Sequence, residues 1–315
     1  MWAGGGRVPR GSVVGMNSPT LYQRSALLAA GYTDRELRRW LREGDLTLLR
    51  RGNYVTGDPP EGEHARHLLL VRAAFAALGP GAVASHVSAA VLHGLPTWAV
   101  ALDRAHITRH RRSGGRRDRL VHVRTARLDQ DEVVQLDGRP VTSVARTVLD
   151  LARTVSFESA VVTADGALGA GAVDASELTD SVRRFDRWPG CPAARRAIAF
   201  ADGRSESVGE SRSRVAIAMA GLPDPVPQWR VRDSEGRQVG RVDFGWPERN
   251  VVAEFDGKIK YGRLVRPDRS AGDVVFEEKL REDDLRAQGL TVIRWTWPDL
   301  ADFTPIARRL RRALS

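Results

Sequence analysis

The chain is poor in cysteine, lysine and long apolar segments. A single cysteine, Cys191, among 315 residues excludes an internal disulfide and a cysteine-rich zinc site. No run of 18 apolar residues occurs, so the sequence predicts neither a membrane-spanning helix nor a membrane partner. The first fifteen residues are rich in glycine and lack the apolar core of a secretory signal. These absences favour a cytoplasmic protein. We expect residues 1–17 to be disordered or to contain a mis-assigned start, with Met16 as the true one.

Basic residues outnumber acidic ones by 49 to 39, which gives a formal net charge of +10. Such a field attracts polyanions, nucleic acid above all. Only three of the 49 are lysines, which leaves 46 arginines, and Ala, Gly and Val are abundant. This composition is typical of a GC-rich coding bias, so the arginine surplus is weaker evidence for DNA than the charge alone suggests. The length indicates two or three domains.

Residues 18–57 predict a small helical unit followed by a hairpin. A first helix, with Tyr22 on its apolar face, ends at Gly31, and a Thr-x-x-Glu capping box at residues 33–36 opens a second helix that stops at Gly44. Two short strands at 46–50 and 53–55 follow. Helix, tight turn, helix and hairpin form the outline of a winged helix-turn-helix.

The predicted second helix and hairpin carry many arginines. In a winged helix, one helix enters the major groove and the wing touches the DNA backbone. The alternative is a solvated helix face in an arginine-biased chain. The candidate DNA-binding residues are Arg35, Arg38, Arg39, Arg42, Arg50 and Arg51.

Residues 61–200 predict a mixed α/β middle region. All seven histidines fall between His64 and His122, but they lack cysteine partners and have few acidic neighbours, which argues against a metal site there. The arginine-rich stretch 109–117 lies between two predicted strands. It has two interpretations, a mobile loop tip or a contact with a phosphate backbone.

Residues 205–315 predict a third domain, in which a helix capped by Ser207 precedes three strands, another helix and a last strand. Side chains alternate along a strand, so Glu254 and Asp256 share one face of strand 251–256. If residues 244 and 251 flank the turn, Asp243 lies opposite Val252 and has Glu254 as its diagonal neighbour. The fold class expected for the whole chain is therefore an α+β or α/β multidomain protein.

Three acids then converge at this hairpin, with Lys258 just beyond it. A hard divalent cation such as Mg²⁺ prefers oxygen ligands of this kind, and it lowers the pKa of a bound water beside a scissile phosphate. A lysine alongside orients that water or stabilises the developing charge. The three lysines of the chain, Lys258, Lys260 and Lys279, all fall in one window of 22 residues, which indicates that a compact ammonium is preferred there over arginine.

A family resemblance adds to this pattern. The run GRVDFGWPERNVVAEFDGKIKYG, followed by FEEKLREDDLRAQGLTVIRWTWPDL, resembles the Vsr-like endonuclease group of the PD-(D/E)xK superfamily over about residues 205–300. The resemblance implies a mixed sheet flanked by helices and a metal site on Asp243 and Glu254, with Glu210 joining from the first helix. The usual Glu-x-Lys reads Glu254-Phe255-Asp256 here, so Lys258 or Lys279 would replace the missing lysine. The candidate catalytic residues are Asp243, Glu254, Asp256, Lys258 and Lys279.

The amino-terminal run RSALLAAGYTDRELRRWLREGDLTLLRRGNYV is similar to the antitoxin domain of AbiEi-type, type IV toxin–antitoxin systems. In that family the winged helix binds operator DNA and represses transcription, so the resemblance implies DNA and a cognate toxin as partners. Two hypotheses follow. The chain is a metal-dependent DNA endonuclease addressed by a winged helix, or it is a repressor or antitoxin whose nuclease-like domain is catalytically inactive.

Overall fold

A computed structural model describes residues 21–50, 52–56, 60–111, 113–257 and 283–315 of the chain. These residues form a multidomain protein of mixed α and β structure with several sheets, as the composition and patterning predicted. Its described residues divide into two compact units. Unit 1 runs to Leu95 and continues over Ala99–Leu151, and unit 2 comprises Pro96–Trp98 and Ala152–Ser315. The predicted disordered start at residues 1–17 lies outside the described residues.

The amino-terminal part of unit 1 combines two helices with an antiparallel three-stranded sheet of order β1-β3-β2. Leu37 and Trp40 of the second helix are buried against this sheet with Leu46. The elements are β1 (Leu21–Gln23), α1 (Arg24–Ala29), α2 (Asp34–Glu43), β2 (Leu46–Arg50) and β3 (Asn53–Thr56).

Local signals place the ends of α2 where the sequence predicted them. Thr33 and Glu36 form the reciprocal capping box, and Gly44 ends the helix in the left-handed conformation, which glycine adopts at little cost. The prediction for Tyr22 was wrong: this residue lies in β1, opposite Tyr54 of β3. Pairing between Tyr22 and Tyr54 is a non-local interaction, and helical spacing of apolar residues does not report it.

The rest of unit 1 is a six-stranded mixed sheet of order β6-β7-β5-β4-β9-β8. Leu70 and Val71 of the long helix α3 pack on Ile107 and Val123 of the sheet, which forms one apolar core. The elements are α3 (Glu63–Leu78), β4 (Val83–Ala84), α4 (His86–Leu92), β5 (Ala105–Arg109), β6 (Arg116–Arg117), β7 (Val121–Thr125), β8 (Val133–Leu136), β9 (Arg139–Thr142) and α5 (Val144–Ala152).

Unit 2 contains a four-stranded sheet of order β10-β11-β12-β13 flanked by helices. The first three strands are antiparallel and β13 runs parallel to β12, so a crossover that includes the helical residues 283–287 joins these two strands. The elements are α6 (Phe157–Gly169), α7 (Ala175–Arg184), α8 (Cys191–Phe200), α9 (Val208–Met219), β10 (Val226–Arg232), β11 (Gln238–Trp246), β12 (Val251–Asp256), β13 (Thr291–Thr296) and α10 (Thr304–Leu314).

Both faces of this sheet carry apolar side chains. Phe244 and Trp295 stack with ring centroids 5.6 Å apart in a core shared with Ile306 and Leu310 of α10. A second cluster includes Val252 and Leu285. Helices α6 to α8, which the sequence analysis grouped with the middle region, pack in unit 2, where α6 contacts α8 and α9.

The register between β11 and β12 differs by two residues from the predicted one. Trp246, expected in the turn, is buried and stays in β11 opposite Val251, so Val252 lies opposite Gly245 and not opposite Asp243. Continuing this register puts Glu254 directly opposite Asp243. Because a shift of two residues preserves the side-chain alternation, Asp243 and Glu254 keep their common face.

Across the described ranges of the chain, no helix is both long enough and apolar enough to cross a membrane.

Candidate functional site

Helix α9 is anchored at its first turn and at its middle. The Ser207 hydroxyl accepts a hydrogen bond from the backbone N–H of Glu210 and so caps the helix. Arg214 donates to the Asp165 carboxylate of α6 at 2.9 Å and to the carbonyl of Phe200 at 2.7 Å. Burial raises the pKa of Asp165, while Arg214 opposes that change. This ion pair fixes the helix that carries Glu210.

Glu210 is buried and accepts three hydrogen bonds. Its Oε1 accepts from the Ser207 hydroxyl at 2.8 Å, and its Oε2 accepts from the backbone N–H of Glu206 at 2.9 Å. The Ser207 bond is local to the helix cap, whereas a capping box would use the N–H of Ser207 and not that of Glu206, the residue before the N-cap. The third donor, the Gln228 amide of β10 at 2.8 Å, is not part of a capping motif. It connects the helix carboxylate to the sheet.

Asp243 and Glu254 occupy facing positions on neighbouring strands. Asp243 Oδ2 accepts the backbone N–H of Phe255 at 2.8 Å, just where the backbone ladder between β11 and β12 ends. Glu254, 8% exposed, accepts on Oε2 from both Nε and Nη2 of Arg294, at 3.0 and 2.8 Å. The two predicted metal ligands are therefore brought side by side.

The start of α9 reaches the end of β12 through Gly209. A Cβ there would lie 1.9 Å from the ring of Phe255, so only glycine allows this approach. Arg241 of β11 adds a two-pronged ion pair with Glu206, at 2.7 and 2.8 Å. The segment that contains Glu210 is thus tied to both strands that carry the other acids.

The remaining predicted catalytic residues lie at the edge of this region or beyond it. Asp256 is exposed at the end of β12, where it pairs with Thr296 of β13. Lys258, Lys260 and Lys279 lie outside the described residues, and so their predicted roles stay predictions.

The oxygen donors near Asp243 and Glu254 suit a divalent cation that keeps part of its water shell. Within the described ranges, no three His, Cys, Asp or Glu side chains form a ready-made metal cluster. Mg²⁺ often takes only one or two carboxylates and keeps several waters. Asp243 and Glu254 supply the carboxylates, and the buried Oε1 of Gln228 has no hydrogen-bond partner among the described residues. Hard oxygen donors are therefore present, and they fit such a cation.

Sequence reasoning missed Arg294 and Gln228. A signal for Arg294 exists, because β13 alternates Arg294 and Thr296 with the core residues Ile293 and Trp295, so the arginine faces away from that core. No local signal in the sequence identifies Gln228, because Glu210, which its amide contacts, lies on helix α9, and Asp243, which it faces, lies on strand β11.

An aromatic stack lies beside the end of β12 within unit 2. The rings of Trp98 and Trp297 stack at 5.7 Å, and the Arg212 guanidinium carbon lies 4.0 Å from the centroid of Trp98. Arg212 Nε donates to Glu158 at 2.8 Å, and Trp297 meets Phe255 edge-on at 5.0 Å. The stack therefore touches the strand that carries Glu254 and Asp256.

Unit 1 contains a separate group of buried charges. Arg146 lies between two carboxylates, donating to Glu132 at 2.7 Å and to Asp150 at 3.0 Å. All three residues are at most 4% exposed. His86 Nδ1 lies 3.9 Å from Asp150 and 3.1 Å from the Ser85 hydroxyl. Because solvent does not reach this cluster, a substrate cannot reach it either, and we interpret it as a structural ion-pair cluster.

The predicted DNA-binding arginines of α2 face outward. Arg35, Arg38 and Arg42 are exposed, opposite the buried Leu37 and Trp40. Arg39 is partly exposed, and its Nε lies 3.7 Å from Oε2 of Glu43. Arg50 is the last residue of β2, and Arg51 lies outside the described residues.

A second basic surface, here called the basic strand face, comprises Arg104, His106, Arg117, His122 and Arg124. His106 and His122 are register partners on β5 and β7, with rings 5.4 Å apart, and Arg124 Nη1 lies 3.1 Å from His106 Nδ1. Burial and then Arg124 lower the pKa of His106 to about 3 and that of His122 to about 4. Positive potential is thus concentrated on this face.

No protein-family model matches the chain. Two uncharacterized proteins of Mycobacterium tuberculosis, MT2308 of strain CDC 1551 / Oshkosh and Rv2248 of strain H37Rv, are each 36% identical to it over 138 residues. That stretch covers 44% of this chain and 49% of theirs, so the chain spans about half the length of the curated relatives it matches. The crystal structure of the RV2827C protein of Mycobacterium tuberculosis superposes with a TM-score of 0.40 at 17% identity, covering 69% of this chain and 85% of that one. A likeness this distant carries no argument.

Proposed function

We propose that this chain is a DNA-binding protein whose carboxy-terminal unit is a nuclease of the PD-(D/E)xK kind, dependent on Mg²⁺ or another divalent cation. The observation that supports this best is the facing pair Asp243 and Glu254 on neighbouring strands, joined through the Phe255 N–H bond at 2.8 Å. The two carboxylates lie on a mixed sheet flanked by helices, which is the fold that the family resemblance implies.

In this proposal Asp243 and Glu254 would hold the cation, and Glu210 would hold a water beside it. When bound, such a cation would lower the pKa of a water and withdraw charge from the scissile phosphate. Glu210 is oriented because the Ser207 hydroxyl, the Glu206 N–H and the Gln228 amide all donate to it. Hydrolysis then breaks one P–O ester bond and adds water across it. Lys258 or Lys279 would stabilise the charge that develops on the phosphate, and Asp256 would be a ligand or would hold Lys258.

Binding to DNA is assigned to two surfaces of unit 1. The outward arginines of α2 have the placement that a winged helix uses to contact DNA. The basic strand face adds a cluster of guanidinium groups suited to phosphate oxygens. Attraction by both surfaces is electrostatic and therefore falls as salt rises.

A plasmid-nicking assay tests the proposal. Wild-type protein should convert supercoiled plasmid to the open-circular form with Mg²⁺ or Mn²⁺, and EDTA should stop the conversion. A wild type that cuts nothing with either cation, and that binds neither by calorimetry, rules out the nuclease.

One observation favours a second function, that of a DNA-binding repressor or antitoxin. Arg294 already contributes a guanidinium to Glu254, and Asp256 stands where the family places its lysine. A guanidinium and a metal ion compete for the same carboxylate oxygen. On this alternative the protein binds operator DNA and a cognate toxin, and Arg294→Ala fails to create cleavage.

A further inference from the structure

Gln228 holds an unusual backbone conformation inside a strand. Its φ is +53°, a left-handed value that L-residues other than glycine, asparagine and aspartate adopt rarely. Pro227 pairs with Phe244 and Trp229 pairs with Val242, so Gln228 stands across from Asp243. Non-glycine residues in this region persist only where the surrounding structure imposes them, and such residues concentrate at functional sites.

The side chain of Gln228 is half satisfied. Its Nε2 donates to Glu210 Oε2 at 2.8 Å, whereas its Oε1 is buried without a hydrogen-bond partner among the described residues. The orientation of the amide is fixed by chemistry, because the reverse orientation would set an amide oxygen against a carboxylate oxygen. A buried acceptor without a donor is rare in proteins and calls for an explanation such as an ion.

We propose that Gln228 is a ligand of the divalent cation, binding it through Oε1 while Nε2 positions Glu210. This inference rests on the proposed function, since it adds a neutral oxygen to the set of Asp243 and Glu254. Amide oxygens are hard ligands that suit Mg²⁺ and related cations. The three observations, backbone strain, an unsatisfied oxygen and a position opposite Asp243, then have one cause.

A purely structural role makes a different prediction. If Gln228 served only to hold Glu210, its Oε1 would need no ligand, and its backbone strain would be unexplained. Glycine at this position removes the amide and also relieves the strain, because glycine adopts positive φ freely. Gln228→Gly therefore separates stability from cation binding.

The test is calorimetric titration of the full chain with Mn²⁺ and Mg²⁺. We expect Gln228→Gly to unfold at the wild-type temperature or above it, while its cation affinity falls by about tenfold or more, the scale of a lost ligand or its support. Gln238→Gly, the same change at an exposed position of β11, is the matched control and should bind as wild type does. If circular dichroism shows that Gln228→Gly misfolds, Gln228→Asn takes its place. Asparagine tolerates the positive φ, but its side chain is one methylene shorter, so this variant should also lose cation affinity.

The two failures are distinguishable. Equal cation affinity of wild type and the folded Gln228 variant overturns the ligand role and leaves the nuclease proposal intact. A wild type that binds neither cation overturns both.

Discussion

Two groups of carboxylates, one in each unit, differ in the donors that hold them. In unit 1, Glu132 and Asp150 share the guanidinium of Arg146 in a closed cluster. In unit 2, Glu210 accepts from a hydroxyl, an amide and a backbone N–H, Asp243 accepts a backbone N–H, and Glu254 forms an ion pair with Arg294. A cluster with its own cation stabilises a fold. Neutral donors orient a carboxylate without adding a positive charge beside it, which favours the attraction of a cation from solution.

The largest effect is expected from breaking the closed cluster. Arg146→Met leaves two carboxylates buried beside an apolar side chain, which should cost about 3–5 kcal/mol of unfolding free energy. Urea denaturation followed by circular dichroism measures it. The control is Arg127→Met, whose side chain is 75% exposed in its pair with Asp129, with an expected loss of about 0–1 kcal/mol. A loss as small as the control's would show that the buried cluster is not what holds unit 1 together.

The second effect falls on activity rather than stability. Asp243→Asn keeps an oxygen that can accept the Phe255 N–H, so the fold should survive. Metal-dependent nicking should nevertheless drop by about 100-fold or more, the scale of removing one electrostatic partner from a reacting centre. Asp224→Asn, at an exposed position before β10, should cut as wild type does. Undiminished nicking by Asp243→Asn would remove this residue from the site.

The third effect concerns the outward-facing arginines of helix α2. Reversal of Arg38, Arg39 and Arg42 to Glu should weaken DNA binding by about tenfold or more and flatten its salt dependence by about 0.9 per lost phosphate contact. Arg308, Arg309 and Arg312 of α10 have identical helical spacing and are exposed, so their reversal controls for net charge. Fluorescence anisotropy over a salt series measures both. Equal losses in the two triple variants would mean that α2 has no special role.

The smallest effect is expected from the histidines of the basic strand face. The pKa of His122 is about 4 in the fold, below its ordinary value of 6.5, chiefly through burial and then through Arg124, Arg117 and Arg104. Because the folded pKa is lowered, stability from the neutral ring is present above pH 6.5 and is lost as pH falls toward 4.

His122→Gln should therefore show a shallower decline of Tm between pH 7 and pH 4.5 than wild type. His64→Gln, at an exposed position of α3, is the control. Parallel pH curves for wild type and His122→Gln would contradict the lowered pKa. DNA bound on this face should raise the pKa of His122, which NMR titration of the ring protons can follow.

Local signals in the sequence were reliable, and interactions between distant segments were not. The cap of α2 and the bounds of β12 could be predicted because they depend on neighbouring residues. The β11–β12 register was missed by two residues because burial of Trp246 sets the turn length. Asp243 and Glu254 still share one face of the sheet, because a register error of two residues leaves the side-chain alternation unchanged.

The partners of the candidate site depend on tertiary structure and could not be predicted. Arg294 reaches Glu254 through a parallel pairing that requires the whole crossover between β12 and β13. Gln228 takes a conformation that nothing in its own tripeptide favours.

The stack of Trp98 on Trp297 gives the protein an optical signature. Two indoles with centroids 5.7 Å apart couple their electronic transitions, so we expect a paired positive and negative band in ultraviolet circular dichroism. Trp297 also meets the ring of Phe255, the residue between Glu254 and Asp256. A cation or a DNA strand that shifts the end of β12 would therefore change this band without any added label, and Trp98→Phe would abolish it.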